Sequence, residues 1–410
     1  MANQLLAINE VTREAVRLWK NTNAFLMSID RQYDDSFANS GAKIGTALRI
    51  RLPNDYVIRR GQTAQVQDTG EPSTTLVVSS QAGVDISFSS VDRAMTIDDY
   101  SRRVVAPAIN TIAGGVAADI MSGVEGGICN VVANVDGSNN VLNPVASTFL
   151  QAGAILDTQS APSTNRKVVN DPFTEARVVA TLSGLFNPSS KISAQFMTGH
   201  MKEALGFDWM KDQTVIKHTN GTYSTGTVNG AGQVGNVLQV NAIAGALAAG
   251  DIVTIAGVNG VNRVNKQTTG QLRQFVITAA APVGSTSLSI YPALVPGSTT
   301  YNPVTGANAA QYQTVTASPA NSATILPVLN ASATYRKSFV FCPEAVTMAT
   351  ADLEIPRGVH EAHRESFDDL SIRMVSGYMI GTDQFISRLD VLWGYLWVRP
   401  EWAVVVADAI

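Results

Sequence analysis

Residues 96–126 read TIDDYSRRVVAPAINTIAGGVAADIMSGVEG, and this stretch decides how the rest of the chain is interpreted. Thr96 followed three residues later by Asp99 predicts a helix start, because a hydroxyl and a carboxylate can accept from the first backbone N–H groups. A helix of this length is about 45 Å long, so we assign 96–129 to a spine along which other elements pack. Its apolar residues recur at steps of three and four and form one stripe: Ile97, Tyr100, Val104, Ala108, Ile112, Val116, Ile120 and Val124.

Three residues inside this stretch oppose a straight helix. Pro107 has no N–H to donate, and Gly114 and Gly115 have low helix propensity. We therefore predict that the spine bends at Pro107, Gly114 and Gly115.

Length and composition place the chain among large soluble proteins. Its 410 residues exceed what one hydrophobic core usually serves, so two or three domains are expected. Hydrophobic residues make up 45 %, and the net charge of −4 gives no sign of nucleic-acid or membrane binding. Cys129 and Cys342 are too few for a disulfide framework. The N-terminus lacks a signal-peptide pattern and no apolar run suits a membrane span, so we expect a cytoplasmic protein without a membrane partner.

The N-terminal arm, residues 1–46, predicts a helix. Apolar residues that include Leu5, Ile8 and Leu18 follow a helical period between 5 and 29. This amphipathic helix either docks on another subunit or packs on its own domain, and the pattern leaves both possibilities open.

Residues 47–95 predict a long hairpin. Apolar and polar residues alternate at 48–52 and again at 84–88, with a polar, glycine-containing stretch between the two runs. A two-stranded ribbon is only marginally stable by itself, so we expect it to lie on its own domain or on a neighbouring chain. Candidate contact residues on the hairpin are Arg49, Arg51, Arg59 and Arg60.

The segments at 130–220 and 335–410 mix strands and helices, which indicates an α+β domain. After a short strand near 130, we expect a helix at 148–160, a buried strand at 177–182 and a helix at 186–205. The closing strands are predicted at 370–374, 387–398 and 403–406. On the second of them, Trp393, Tyr395 and Trp397 share one face and are expected to pack in the core.

Residues 221–334 differ abruptly in composition. Short β-rich runs alternate there with Gly, Pro and Asn, which predicts an inserted β-barrel or sandwich module. The charged residues in this stretch are Asp251, Arg263, Lys266 and Arg273.

Motifs for catalysis are weak throughout the sequence. His360 and His363 are three residues apart rather than the four of metalloprotease helices, and no third ligand is evident. Gly230, Gly232 and Gly235 match G-x-G-x-x-G but lack the preceding strand and following helix of a dinucleotide site. The acidic pairs at 34–35, 98–99 and 368–369 are interpreted as a helix start and solvated faces. We therefore expect no catalytic residues, no metal and no cofactor.

The order of these parts resembles the major coat proteins of tailed, double-stranded-DNA bacteriophages. More narrowly, it is similar to the coats of short-tailed Salmonella phages, whose capsid fold carries an inserted domain. Three short motifs carry the resemblance: Gly250-Asp251 with IAGV at 255–258, FNP at 186–188, and LWGY at 392–395 followed by RPE at 399–401.

This resemblance implies the Johnson capsid fold, an α+β fold shared with herpesvirus floors and encapsulins. The hairpin would be the E-loop that lies over a neighbouring subunit, and the arm would also reach across subunits. The implied function is self-assembly, as hexamers and pentamers, into an icosahedral shell around packaged double-stranded DNA. The implied partners are a scaffolding protein and a portal protein, with assembly in the host cytoplasm and the virion as the final location.

Two alternatives remain at the level of sequence. An encapsulin-like compartment shell has the same fold, but encapsulins resemble the simpler form without an insertion. A β-rich, glycan-binding adhesin would use residues 221–334, but it should carry a secretion signal or a repeated β domain. An enzyme is the weakest interpretation, because no catalytic constellation is present.

Overall fold

The computed structural model describes residues 8–31, 47–51, 56–59, 61–64, 73–89, 101–123, 127–182, 203–297, 310–356, 358–367, 370–381 and 384–410. The chain divides into two compact units. Unit 1 contains Met1–Ile50, Thr74–Ile120 and Val346–Val398, and unit 2 contains Arg51–Ser73, Met121–Ala345 and Arg399–Ile410.

The elements are numbered in chain order within the described residues. The α-helices are α1 (Ile8–Thr22), α2 (Ala24–Ser28), α3 (Ala106–Gly123), α4 (Ala146–Thr158) and α5 (Pro172–Leu182). The strands are β1 (Ala47–Arg51), β2 (Ser73–Val77), β3 (Ser80–Ser89), β4 (Asn130–Ala133), β5 (Lys167–Asn170), β6 (Glu203–Ala204), β7 (Phe207–Lys211), β8 (Lys217–Thr219), β9 (Gly226–Thr227), β10 (Gly235–Gln239), β11 (Ile252–Val261), β12 (Thr268–Ile277), β13 (Ser287–Leu294), β14 (Thr324–Pro327), β15 (Thr334–Phe341), β16 (Val346–Ala351), β17 (Glu361–Phe367), β18 (Leu370–Met379), β19 (Gln384–Trp397) and β20 (Ala403–Ala409).

Unit 2 contains a seven-stranded mixed sheet in the order β4-β20-β15-β5-β7-β6, with β8 paired to β15. Strand β20 begins with four consecutive apolar residues, AVVV, and both of its faces are buried, as expected for a strand covered on two sides. One hydrophobic core joins the sheet to α4 and α5 through Val340, Val404, Phe149, Leu156 and Val178. The mixed α+β class and the predicted helix at 148–160 are confirmed.

The predicted strand at 177–182 is wrong, because these residues belong to helix α5. Asp171 precedes Pro172, and its carboxylate accepts from the backbone N–H of Phe173 at 2.9 Å. An aspartate cap followed by proline in the first turn is a strong start signal for a helix. The apolar run RVVATL therefore continues a helix that begins five residues before it.

The second sheet of unit 2 has six antiparallel strands in the order β10-β13-β12-β11-β14-β9. The β-rich runs predicted from the sequence correspond to β10, β11, β12 and β13. Its hydrophobic core is separate from that of the seven-stranded sheet and includes Tyr223, Val253, Phe275 and Ile290. Alternate residues of β13 point into it, as expected for a sheet with one buried face.

The chain leaves and re-enters the seven-stranded sheet at adjacent positions. Thr219, at the end of β8, is the Cα partner of Thr334 at the start of β15. The Asn220 side-chain amide then donates to the carbonyls of Leu329 and Asn330, at 3.3 Å and 2.9 Å. All six strands of the second sheet lie between these two points.

Unit 1 is built around the 14-residue strand β19. It pairs with β18 along 384–390, with β3 along 384–393 and with β16 along 392–397. Trp393 is buried and stacks on Tyr395 at 5.8 Å between ring centroids, which confirms the expected core packing for this part of the aromatic stripe. Helix α1 contacts β17 and β18 and buries Val11, Ala15 and Trp19.

The predicted pairing of 48–52 with 84–88 is wrong. Strand β1 pairs with β2, and β3 pairs with β19. The polar stretch of the predicted hairpin contains β2, whose Leu76 is fully buried against Ala349 and Leu392. Period-two alternation identifies strands but does not choose among possible partners.

The spine is helical from Ser101 to Gly123, and the predicted start at Thr96 lies outside the described residues. A π-helical turn at Ser101–Val105 precedes α3, whose second residue is Pro107. Its described α-helix runs to Gly123, and the predicted end at 126 lies outside the described residues. By length and composition alone, residues Arg103–Gly123 are apolar enough to cross a membrane, but their buried residues Ile109, Ile112, Val116 and Ile120 are equally typical of a core helix.

Candidate inter-subunit surface

The segment between β1 and β2 carries exposed apolar side chains. Ile58 is 75 % exposed and Tyr56 is 55 % exposed, in a segment at 56–59 that has no regular secondary structure. Next to them, the Arg59 guanidinium donates to the carbonyls of Gly61 and Thr63, the latter at 3.2 Å. An arginine that fixes a turn beside two uncovered apolar side chains is typical of a protein-binding surface. Sequence reasoning named Arg59 and missed Tyr56 and Ile58, although their position inside the predicted hairpin was a usable signal.

The other candidate contact residues are less completely described. Leu5 and Arg60 lie outside the described residues. Ile8 is the first residue of α1, and Arg49 and Arg51 lie on β1, but the description does not extend to their side chains. Leu18 is half-buried on α1. Because α1 covers its own sheet, only part of Leu18 is accessible to another chain.

The three bend candidates occupy different environments. Pro107 is exposed in the first turn of α3, directly after the π-helical turn, where the i→i−4 ladder lacks the proline N–H. Gly114 is half-buried, and Gly115 has no atom within 4 Å of the position that a Cβ would occupy. The α-helix is continuous through both glycines. Bending at these residues remains a prediction.

A second exposed apolar group lies at the end of the β18–β19 hairpin. Ile380 is 86 % exposed, and Tyr378, Met379 and Ile386 are each exposed by more than a third. Tyr378 faces Phe385 across the hairpin, and Gly377 faces Ile386. This group was not identified from the sequence, because its residues lie between the strands predicted at 370–374 and 387–398.

Ionic contacts hold β19 against its neighbours in unit 1. Asp390 is fully buried and accepts from Arg373 at 2.6 Å and from Arg388 at 2.9 Å. Its neighbour across the β3–β19 pair is Gly83, where an added Cβ would lie 2.6 Å from the Asp390 Oδ1 atom. The glycine therefore leaves room for the carboxylate and its two arginines.

Replacing Asp390 by asparagine should reduce the acid sensitivity of folding. Burial raises the pKa of Asp390, but hydrogen bonds from Arg388, Arg373 and Gln81 outweigh this effect, and the pKa lies below its ordinary value. The carboxylate therefore stabilises the fold fully above the unfolded pKa of about 3.9, and this stabilisation is lost as the pH falls through the lower folded pKa. At pH 7 we expect Asp390→Asn to lower the free energy of unfolding by about 2 kcal/mol in urea denaturation.

The pH series is compared with a matched variant. Asp85 lies 3.8 Å from Arg388, but its side chain is 71 % exposed, so Asp85→Asn should leave the acid limb of the stability curve unchanged. The prediction is contradicted if wild type and Asp390→Asn lose equal free energy between about pH 5 and pH 2.

A buried histidine–aspartate pair joins the two sheets of unit 2. His218 Nε2 lies 2.9 Å from Asp251 Oδ1, and the two side chains are 3 % and 4 % exposed. The other carboxylate oxygen of Asp251 accepts from the backbone N–H groups of Gly221 and Ala248, at 3.0 Å and 2.8 Å. His218 lies on β8 and Asp251 precedes β11, so these three contacts fix the point where the chain passes between the sheets.

The described residues do not assemble a metal centre. No group of three or more His, Cys, Asp or Glu side chains that could hold a metal is present among them. His363 lies on β17, where its Nε2 is 3.4 Å from Glu365. Gly230 and Gly232 have positive φ in the turn before β10, and Gly235 has positive φ as the first residue of that strand, so the three glycines shape a turn. Burial raises the pKa of the Cys129 and Cys342 thiols to about 11, which keeps both unreactive at neutral pH.

Comparisons with solved structures find phage capsids. A structure from Mycobacterium phage Che8 is similar over 94 % of this chain and 90 % of its own, at 10 % identity and a TM-score of 0.47. The capsid structure of Cyanophage P-SCSP1u is similar over 90 % of this chain and 84 % of its own, at 10 % identity and a TM-score of 0.42. The I-domain of the CUS-3 coat protein is 27 % identical over 26 % of this chain and 96 % of its own, with a TM-score of 0.20.

A search among curated proteins finds no match. The family model described as "P22 coat protein - gene protein 5" matches residues 38–406, which is most of the chain. Because the match covers most of the chain, it favours a phage shell protein over the encapsulin-like compartment shell and over the glycan-binding adhesin. The chain therefore belongs to the P22 coat protein family and is a structural, non-enzymatic major capsid protein, whose copies assemble into the icosahedral shell of a phage virion.

Proposed function

We propose that the segment between β1 and β2 is the part of the E-loop that binds a neighbouring subunit during shell assembly. The observation that carries this proposal is the exposure of Ile58, at 75 %, beside Tyr56 and the turn fixed by Arg59. Apolar side chains this exposed on the subunit are removed from water only when another molecule covers them, and that removal is favourable. Arg60, Arg49 and Arg51 would add charged contacts around it, as the rim of an interface usually does.

Replacing Ile58 by aspartate should block assembly without unfolding the subunit. A charge at the centre of an apolar contact must be desolvated on binding, which removes the favourable burial and adds a cost. We expect at least tenfold more protein to be required for shell formation, measured by sedimentation velocity, with an unchanged circular dichroism spectrum.

Val283→Asp is the matched control for this experiment. Val283 is 62 % exposed and lies on the turn before β13, so the substitution adds the same charge to a comparably exposed position. Normal assembly of Ile58→Asp, or equal loss of assembly in both variants, would contradict the proposed contact.

We propose that residues 221–334 form an inserted domain on the capsid fold. Two observations support this: the six-stranded sheet has its own hydrophobic core, and Thr219 and Thr334 are paired where the chain leaves and returns. An insertion whose ends are adjacent can be added to a sheet without disturbing its pairing. The remaining boundaries are proposed from the order of the elements along the chain: an arm at 1–46, an E-loop segment at 47–95, a spine at 96–129, and α+β parts at 130–220 and 335–410.

We infer that assembly takes place in the host cytoplasm with a scaffolding protein and a portal protein, around double-stranded DNA. The net charge of −4 supports a container that holds its DNA without gripping it, since tight phosphate binding requires clustered lysine and arginine. Pro107, Gly114 and Gly115 remain the proposed places where the spine adapts to differently curved shell positions. Superposition of independent subunits within one shell tests this, and an identical helix in all of them would contradict it.

A further inference from the structure

Three of the four charged residues between positions 221 and 334 line one cavity. Arg263, Lys266 and Arg273 are the basic residues of this stretch, and all three contribute to the wall of a cavity of about 330 Å³ in unit 2. The fourth charged residue, Asp251, belongs to the histidine–aspartate pair. A stretch that otherwise excludes charge therefore places all of its cations in the wall of this cavity, although Arg273 also borders a second one.

Arg273 is the least compensated of these cations. The residue is only 6 % exposed, and its Nε has no hydrogen-bond partner. Its Nη2 donates to the Cys129 sulfur at 3.6 Å, and no carboxylate of the described residues forms an ion pair with it. Because burial raises the pKa of the Cys129 thiol to about 11, that sulfur is neutral at pH 7 and supplies no counter-charge.

The carboxylate in the same wall is already engaged. Glu401 accepts from Arg263 at 2.5 Å and from the Tyr291 hydroxyl at 2.8 Å, and Arg399 lies 3.9 Å away. Lys266 donates to the carbonyl of Gln311 at 2.7 Å. The cavity lining contains three cationic residues and one carboxylate, and one of the cations is the buried Arg273 guanidinium.

An isolated buried charge is strongly unfavourable unless a group of opposite charge or several hydrogen bonds compensate it. A guanidinium offers donors in a planar fork that matches the oxygens of phosphate. The cavity also has the volume of a small-molecule pocket, in the range of about 300–1,000 Å³. Its remaining wall includes Tyr312, Gln313 and Thr314. The Thr314 hydroxyl and the Gln313 amide donate to the backbone carbonyls of Ala293 and Val315, so the guanidinium is the buried donor with an unused N–H.

We propose that this cavity binds an oxyanion of phosphate chemistry, held by Arg273 with Arg263 and Lys266 around it. The same chemistry is present in inorganic phosphate and in the phosphate group of a mononucleotide. Bound in this cavity, the anion would stabilise the packing of β12 and β13 against Glu401. Glu401 lies in the short helical turn directly before β20.

The test measures phosphate binding to the full-length, unassembled subunit. Isothermal titration calorimetry with inorganic phosphate and, separately, with adenosine 5′-monophosphate is compared with sodium chloride at equal ionic strength. We expect wild type to bind phosphate, and Arg273→Met to bind it at least tenfold more weakly. Tighter binding of the nucleotide than of phosphate assigns the anion to a nucleotide, and equal binding assigns it to free phosphate; both results support the site.

Lys211→Met provides the control, because Lys211 is an exposed cation of unit 2 outside the cavity wall. It should leave phosphate affinity unchanged. If Arg273→Met fails to fold, Lys266→Met in the same wall replaces it, with the same expected direction. Absence of phosphate and nucleotide binding to wild type, or equal affinity in wild type and the cavity variant, would overturn the proposal.

Discussion

Replacing Asp251 by alanine should lower the free energy of unfolding of the unassembled subunit by about 4 kcal/mol. The substitution removes the acceptor of a buried contact from the His218 imidazole and of two part-buried hydrogen bonds from the backbone N–H groups of Gly221 and Ala248. Each donor would remain inside the protein without its partner, and buried donors without acceptors cost more than a lost surface contact. Guanidinium denaturation followed by tryptophan fluorescence measures the effect.

A second aspartate of unit 2 provides a matched control for this variant. Asp136 also accepts from two backbone N–H groups, those of Ser138 and Asn140, at 2.8 Å and 2.9 Å. It is exposed and all its contacts are local, so water can replace them in Asp136→Ala. If Asp251→Ala and Asp136→Ala lowered the free energy of unfolding equally, the His218–Asp251 contact would contribute no more to stability than a local surface contact.

Replacing Gly394 by alanine should destabilise unit 1 by about 3 kcal/mol, or prevent its folding. A Cβ at this position on β19 would lie 2.3 Å from the Val77 carbonyl oxygen and 2.9 Å from the Val78 Cα. Both atoms belong to the backbone, so relief requires the end of β2 and the residue after it to move away from β19. Because this part of the chain leads to the proposed E-loop, we also expect slower shell formation by light scattering.

Gly377→Ala tests whether the destabilisation by Gly394→Ala comes from the close approach of another backbone segment. Gly377 lies on β18 of the same sheet, and no atom lies within 4 Å of the position that a Cβ would occupy there. Alanine at this position should be neutral or slightly stabilising, since it reduces the backbone freedom of the unfolded chain. Urea denaturation that shows the same midpoint for Gly394→Ala and wild type would contradict the predicted clash.

Much of the fold could be predicted from local pattern. β-rich runs separated by Gly, Pro and Asn identified β10 to β13, and further apolar runs identified the closing strands. The helical stripe at 96–126 identified α3, and the abrupt loss of charge identified the stretch that holds the six-stranded sheet. These features depend on residues close together in the chain.

Errors arose where the decisive residue lay outside the pattern. The run at 177–182 reads as a strand until Asp171 and Pro172 are recognised as the start of a helix. The alternation at 84–88 is real, but the partner of β3 is β19, about 300 residues further along the chain, rather than β1. No spacing within the hairpin segment contains that information.

For the candidate surfaces too, some features could be predicted from the sequence and others required the tertiary structure. By itself, the sequence determined the class of fold, the family resemblance, the choice of Arg59 as a candidate contact residue, and the scarcity of charge between 221 and 334. Only the tertiary structure decided that Ile58 is uncovered, that Asp251 meets His218, and that three separate cations line one cavity. Local periodicity fixes which face of an element is buried, but exposure, ion pairing and cavity walls depend on chain segments that meet only after folding.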